Sequence, residues 1–237
     1  MTRLILILLT SLFLLSNCRK NEYVDIPMDV GHSYIPLKLG QEFIYKADSF
    51  KYGFNNVKKD GDTIPFFIKE IVVFELKDSS ATTYTLARYH SPDATHWMFV
   101  TNHFYQIEKL RVNHIENGIT TTHLVFPVSP NYYWNGNQLN KLPPKEFSYS
   151  FVNGNFKVGA KNFPNSLKVS MDSTVNYINH DIIGEVYSKN VGLVYKEDIH
   201  LTYRNNDSLN DQGMVVLQRP PVIDKGTVLK RELLRFK

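Results

Sequence analysis

Short runs of alternating apolar and polar residues fill most of this chain. From residue 34 onward, runs rich in Val, Ile, Thr, Tyr and Phe are separated by turn dipeptides. Such runs are typical of half-buried strands. No window of eleven or more residues repeats its apolar positions with the helical period of 3.6. The pattern predicts an all-β domain, an antiparallel meander that forms a β-sandwich or a half-open barrel.

Eleven strands are predicted. They cover residues 42–49, 66–76, 82–90, 96–101, 106–116, 119–126, 146–152, 167–178, 182–188, 191–203 and 228–236. The last run also suits a C-terminal helix, because Leu229–Leu234 is rich in good helix formers. A strand is favoured, since Gly226-Thr227-Val228 opens the run in the manner of a hairpin arm.

Four dipeptides supply the positive φ angles of a tight turn: Asp60-Gly61, Asn117-Gly118, Asn135-Gly136 and Asn153-Gly154. A two-residue turn at Asn117-Gly118 predicts three cross-strand pairs, Glu116 with Ile119, His114 with Thr121, and Val112 with His123. A further turn is predicted at Lys189-Asn190. It places Gly192 inside a strand, where a missing side chain indicates a bulge or a close backbone approach.

The N-terminus reads as a lipoprotein leader. Arg3 precedes an apolar run over residues 4–15, which as a helix reaches only about 18 Å and is too short to cross a bilayer. The run ends in Leu15-Ser16-Asn17-Cys18, which resembles a bacterial lipobox. We therefore predict a signal peptide over residues 1–17 and lipidation of Cys18, the single cysteine. The alternative is an ordinary signal peptide with a chance cysteine.

The expected order along the mature chain is a lipid-anchored tether over residues 18–33 and one β domain over residues 34–237. Residues 35–43 and 126–134 both read apolar, proline, apolar, turn residue and aromatic. This echo predicts two related halves, residues 34–124 and 125–237, although chance similarity explains it equally well.

Several segments together resemble a group of uncharacterised Bacteroidota lipoproteins. They are Tyr34-Ile35-Pro36-Leu37 with Gly40 and Tyr45, Trp134-Asn135-Gly136-Asn137, Asp172-Ser173-Thr174-Val175, and residues 185–197. The resemblance supports the location and the fold and implies no activity. In that phylum an acidic run after the cysteine accompanies surface export. Arg19-Lys20 stands there instead, so we expect an envelope protein anchored to a membrane and facing the periplasm.

Histidines provide the first candidate chemistry. Five of the eight, His90, His96, His103, His114 and His123, fall within 34 residues. A turn over residues 91–95 places His90 opposite His96, and the Asn117-Gly118 hairpin places His114 and His123 on one face. These four are weak metal candidates because none has a ligand spacing typical of zinc. Partly exposed strand histidines are the favoured interpretation, so no metal and no cofactor is expected.

The aromatic block Tyr132-Tyr133-Trp134 is a candidate stacking surface for a ligand, although core anchoring is favoured. Alternation sends Tyr133 to the face opposite Tyr132 and Trp134. Three short Asp-Ser/Thr-apolar segments resemble the O-glycosylation acceptor of exported Bacteroidota proteins. They give Thr63, Ser173 and Ser208 as possible acceptors.

The net charge of +4 is spread along the chain without a basic stripe, so nucleic acid is not an expected partner. No nucleophile elbow, phosphate loop or paired carboxylate is present in the sequence, and we nominate no catalytic residue. The expected function is a non-catalytic binding or scaffold module with an envelope protein as partner. The alternative is a carrier whose apolar ligand occupies a half-open barrel. A carrier requires a contiguous apolar cavity, whereas a scaffold is filled.

Overall fold

A computed structural model describes residues 30–53, 63–204, 208–209, 212, 215–216 and 222–237. A short 3-10 turn, η1, covers His32–Tyr34, and none of the helices in this described part is long and apolar enough to span a membrane. The strands of the described residues are β1 Glu42–Tyr52, β2 Ile64–Lys77, β3 Ala81–Ser91, β4 Met98–Glu108, β5 Arg111–Glu116, β6 Ile119–Val125, β7 Tyr133–Asn135, β8 Glu146–Val158, β9 Lys161–Val175, β10 Asn179–Ser188, β11 Gly192–Arg204, β12 Ser208–Leu209, β13 Val215–Val216 and β14 Val222–Phe236.

Twelve of these strands form one antiparallel sheet in the order β6-β5-β4-β3-β2-β1-β14-β11-β10-β9-β8-β7. Chain neighbours lie side by side from β1 to β6 and from β7 to β11, and β14 returns to pair with both β1 and β11. The short β12–β13 hairpin lies between β11 and β14 in the chain. The predicted antiparallel meander is confirmed.

The two edges of the sheet, β6 and β7, approach each other and nearly close it into a barrel. The backbone N–H of Thr122 donates to the carbonyl of Gly136 at 2.9 Å. The indole Nε1 of Trp134 donates to the carbonyl of Thr122 at 2.8 Å. These bonds satisfy edge groups that would otherwise be open to another strand. Of the two predicted architectures, the sandwich and the half-open barrel, the barrel is the one formed, and its sheet is nearly closed.

The C-terminal run is a strand, as predicted, because Leu229 and Leu233 fall on one face of β14, the face that packs into the barrel. Leu233 is buried, and Tyr45 pairs with it from β1. The Asn117-Gly118 turn is confirmed with two of its predicted pairs, Glu116 with Ile119 and His114 with Thr121.

The third predicted pair of that hairpin is wrong. Val112 pairs with Leu124 rather than with His123, because the register shifts between Val112 and Asn113. Asn113 pairs with Thr122, so His123 is the extra residue of a β-bulge in β6. Three successive residues of β6, 122–124, are consequently buried, which a regular alternating strand does not allow.

Other boundaries also differ from the prediction. The single strand predicted over residues 106–116 is divided between β4 and β5, because the chain turns at Lys109-Leu110. That dipeptide contains none of the usual turn residues. Asn153-Gly154 forms an irregularity inside β8 rather than a turn. The turn after β10 takes in Val191 as well as Lys189-Asn190, and Ser188 pairs with Gly192. Asp60-Gly61 lies outside the described residues.

Residues 30–37, which we call the plug, close one end of the barrel. Tyr34, Ile35 and Leu37 are buried there. The Tyr34 hydroxyl donates to Asn153 Oδ1 at 2.8 Å. Residues 30–33, expected in the tether, thus already contact the domain. The division into two related halves stays a prediction.

The plug identifies the two ends of the barrel. The backbone N–H of Asn190, in the β10–β11 turn, donates to the carbonyl of Ser33 at 2.7 Å. In a meander successive turns alternate between ends, so the β5–β6 and β9–β10 turns lie at the other end, together with the loop over residues 136–145. We call this other end the mouth.

Candidate functional site

A cleft of about 350 Å³ opens at the mouth and leads toward the barrel interior. Its volume falls in the range of small-molecule sites. Polar side chains converge on it from β5, β6, β11 and the 136–145 loop, and apolar side chains complete its wall. The lining consists of His114, Glu116, Asn117, Ile119, Thr121, His123, Asn137, Leu142, Lys145, Phe147, Met171, Ile183 and Lys196.

The bulge in β6 supplies the central histidine of this cleft. The ring of His123 lies 4.8 Å from the ring of His114 between centroids. Both residues are buried, at 4% and 6% exposure. The sequence prediction that these two histidines share one face is therefore confirmed, although the pairing behind it differs.

A carboxylate on the opposite side of the barrel holds His123. Glu185 of β10 is 1% exposed, and its Oε2 lies 2.8 Å from His123 Nδ1. The other ring nitrogen, Nε2, lies 3.0 Å from the Thr121 hydroxyl. The three side chains form a continuous line from the interior to the cleft.

Two further donors hold Glu185 in place. The Tyr187 hydroxyl donates to Oε2 at 2.6 Å, and the Lys196 ammonium donates to Oε1 at 2.7 Å. Burial alone would raise the pKa of Glu185, but the charges and hydrogen bonds of His123 and Lys196 outweigh it and hold that pKa well below its usual range. Glu185 is therefore an ionised carboxylate inside the barrel.

His114 connects this line to a second group of charges. Its Nε2 lies 2.9 Å from Nδ1 of the fully buried His103. Burial, followed by the neighbouring His123 and His103, lowers the pKa of His114 well below its usual value. His114 is therefore neutral at pH 7, so one ring nitrogen carries a proton and the other does not.

The second group centres on Glu70 of β2, which is 3% exposed. Glu70 Oε1 accepts from Arg88 Nε at 2.8 Å and lies 3.4 Å from Arg231 Nη1 and 3.3 Å from His103 Nε2. Arg88 also binds Glu116, a residue of the cleft wall. Burial would raise the pKa of Glu70, but His103 and the two arginines together hold it well below its usual range.

Sequence reasoning missed most of this interior network, defined here as Glu70, Arg88, His103, His114, His123, Glu185, Lys196 and Arg231. A signal was present for some members. Glu70 lies between Ile68 and Val72 at period 2, and Arg231 lies between Leu229 and Leu233 in the same way. A charged residue on the apolar face of a strand indicates a buried ion pair.

The other two metal candidates are not brought together. His90 pairs with Met98, so His96 does not lie opposite it as predicted, because the turn extends over residues 92–97. His96 Nδ1 instead binds Asp93 at 2.7 Å in this exposed turn. Within the described ranges, no group of three or more His, Cys, Asp or Glu side chains is arranged to hold a metal ion.

The aromatic block divides between two roles. Trp134 is buried at the β6–β7 seam and packs against Tyr149 at 4.8 Å between ring centroids. Tyr132 stacks on Trp134 at 6.5 Å, and both Tyr132 and Tyr133 remain exposed. Core anchoring holds for Trp134 only.

Of the three predicted acceptors for glycosylation, Thr63 and Ser173 are exposed. The side chain of Ser208 and the whole of Cys18 lie outside the described residues. Lipidation and glycosylation stay predictions.

Comparison with known proteins gives few relatives. No family model and no curated protein matches the chain. Among solved structures, a putative exported protein with a YmcC-like fold from Bacteroides fragilis is similar, with a TM-score of 0.45 and 12% identity over 85% of this chain and 97% of that one. A putative lipoprotein from Parabacteroides distasonis is similar with a TM-score of 0.44 and 11% identity, over 86% of this chain and 98% of that one. Likeness at this level assigns neither a family nor a function, so the chain's own residues must support any role.

Proposed function

We propose that this chain is a lipid-anchored binding module of the cell envelope that takes a small ligand in the mouth cleft. The observation that carries the proposal is the placement of the interior network. Buried charges are costly to desolvate, and here they lie directly beneath a cleft of ligand size. Pre-organised polar groups at the floor of a pocket are typical of recognition sites.

The anchor part of the proposal rests on the leader and on Cys18. The plug end of the barrel is the end at which the described chain begins, at Val30. A lipid on Cys18 would therefore attach the domain to the membrane through its plug end. The lipobox followed by Arg19-Lys20 supports a periplasm-facing orientation.

A carrier of an apolar ligand is less well supported. The space beneath the plug, bordered by Ile35, Phe43, Tyr45 and Leu86, has a volume of about 10 Å³. That is room for about one water molecule. Charged side chains, Glu116, Lys145 and Lys196, interrupt the apolar wall of the mouth cleft, which favours an amphipathic ligand.

Native mass spectrometry of the full protein purified from its own membrane tests the proposal. We expect a bound small molecule, and we expect Leu142→Trp to eliminate it, because Leu142 is 48% exposed and lines the cleft. Leu39→Trp is the matched control, since Leu39 is 61% exposed and is not among the lining residues of the cleft. An unliganded wild type, or a ligand that survives Leu142→Trp, would contradict the assignment of the cleft.

A further inference from the structure

Thr121, His123 and Glu185 form a hydrogen-bonded relay that reaches the wall of the mouth cleft. Glu185 Oε2 lies 2.8 Å from His123 Nδ1, and His123 Nε2 lies 3.0 Å from Thr121 Oγ1. Thr121 and His123 both line the cleft, whereas Glu185 is fully buried behind them. The hydroxyl end of the relay is therefore the end that a ligand can reach.

The direction of each hydrogen bond follows from the chemistry of the groups. An ionised carboxylate only accepts, so the Nδ1–H of His123 must donate to Glu185. In neutral His123 the remaining nitrogen, Nε2, then holds a lone pair, and the Thr121 hydroxyl donates to it. This fixes the tautomer that acts as a base toward a hydroxyl group.

The same geometry also accommodates a protonated His123. Nε2–H then donates to Thr121 Oγ1, and the Thr121 hydroxyl has a second acceptor in the His114 carbonyl at 3.4 Å. Glu185 meanwhile keeps its bonds to Tyr187 and Lys196. The relay can therefore hold His123 either neutral or protonated beside the Thr121 hydroxyl without rearrangement of the barrel.

We propose, on the basis of the ligand-binding role proposed above, that the mouth cleft is an acyl-transfer site for small carboxylic esters. Thr121 is the nucleophile, His123 the general base and Glu185 a positioning residue that orients the imidazole. This departs from the non-catalytic role expected from the sequence.

The reaction balances with these groups and water. Thr121 Oγ attacks the ester carbonyl while its proton passes to His123 Nε2. The tetrahedral intermediate collapses, the C–O bond to the alcohol breaks, and His123 protonates the leaving alkoxide. Water then attacks the acyl-threonine, with His123 again taking and returning the proton, and the carboxylic acid leaves.

The remaining lining residues suit such a substrate. Ile119, Leu142 and Ile183 offer an apolar wall for a short acyl chain. The Lys196 ammonium lines the same cleft. Its contact with Glu185 uses one of its three N–H groups, which leaves two that can donate to an oxyanion forming in the cleft.

Covalent labelling of the full mature protein in detergent tests the site. We expect an alkyl fluorophosphonate to add once per chain, with peptide mass spectrometry placing the adduct on Thr121. We expect p-nitrophenyl butyrate to be hydrolysed with an initial burst, and Thr121→Val to lower the rate by at least about 100-fold. Thr121→Ser should retain both the adduct and the hydrolysis, because it keeps the hydroxyl.

Thr120→Val is the control, since Thr120 precedes Thr121 in β6 and is not among the residues lining the cleft; it should react as the wild type does. Glu185→Gln should keep the adduct but slow its formation and shift its pH profile. No adduct on the wild type, or an adduct on another residue, would overturn the proposal even if every variant folded poorly. A co-purifying ligand together with an unreactive Thr121 would leave the binding role standing and remove only the acyl-transfer chemistry.

Discussion

Glu70→Gln is the substitution that tests the interior network most directly. It keeps the shape of a side chain that is 3% exposed but removes the charge that faces Arg88 and Arg231. Arg88 retains Glu116 as a partner. Arg231 is 7% exposed, and its Nε has no hydrogen-bond partner among the described residues, so the variant would leave its buried charge without the Glu70 carboxylate that faces it.

Removing one partner of a buried ion pair costs about 3–5 kcal/mol, and we expect a loss of that size in the free energy of unfolding at pH 7. Arg231→Met should cost less, because Glu70 then still faces Arg88 and His103. The double variant should be more stable than the sum of the two losses predicts, by about 0.5–3 kcal/mol. Urea denaturation of all four proteins measures these differences. Additive losses, or a Glu70→Gln midpoint equal to that of the wild type, would refute the view that Glu70 neutralises Arg231.

Three further predictions follow from the same structure. Burial holds the pKa of His114 below the value it has in the unfolded chain, so the unfolded state takes up the proton first as the pH falls. The wild type should therefore lose stability below about pH 6.5, and denaturation series between pH 6.5 and 5 should show a smaller loss for His114→Gln. Gly192→Val should lower the free energy of unfolding by about 1–3 kcal/mol, because φ is +100° there. Gly192→Ala should lower it nearly as much, since an added Cβ meets Phe43 and Pro36 only at 3.7 and 3.8 Å; an alanine variant as stable as the wild type would indicate that crowding is the cause instead. Cys18→Ala should abolish labelling by a palmitate analogue and release the protein from membranes on fractionation. Equal labelling of the variant and the wild type would contradict lipidation at Cys18.

The sequence was sufficient for the strands and their meander because period-2 alternation is a local property. It was not sufficient for the barrel closure, which depends on Thr122 meeting Gly136 across a seam. It also misjudged Gly192, where the missing side chain indicated a bulge or a close backbone approach. The structure instead gives Gly192 a φ of +100°, and an added Cβ would have its nearest neighbour at 3.7 Å.

The candidate site shows the same division. His114 and His123 were placed together from one hairpin, since His114 lies three residues before Asn117 and His123 lies five residues after Gly118. Glu185 lies 62 positions from His123 and meets it only because the sheet curls round. No periodicity within either strand encodes that contact, so the relay was beyond prediction.

The plug determines how a pull on the N-terminal segment is borne by the domain. Its hydrogen bonds reach three separate parts of the sheet: Val30 O accepts from Val128 in the β6–β7 connection, Ser33 O accepts from Asn190 in the β10–β11 turn, and the Tyr34 hydroxyl donates to Asn153 within β8. Tension applied through residue 30 therefore loads these bonds as a group, where a terminal strand at a sheet edge would be peeled away one bond at a time. A protein tethered by its N-terminus would in this way carry mechanical load at its plug before any strand of the barrel is strained.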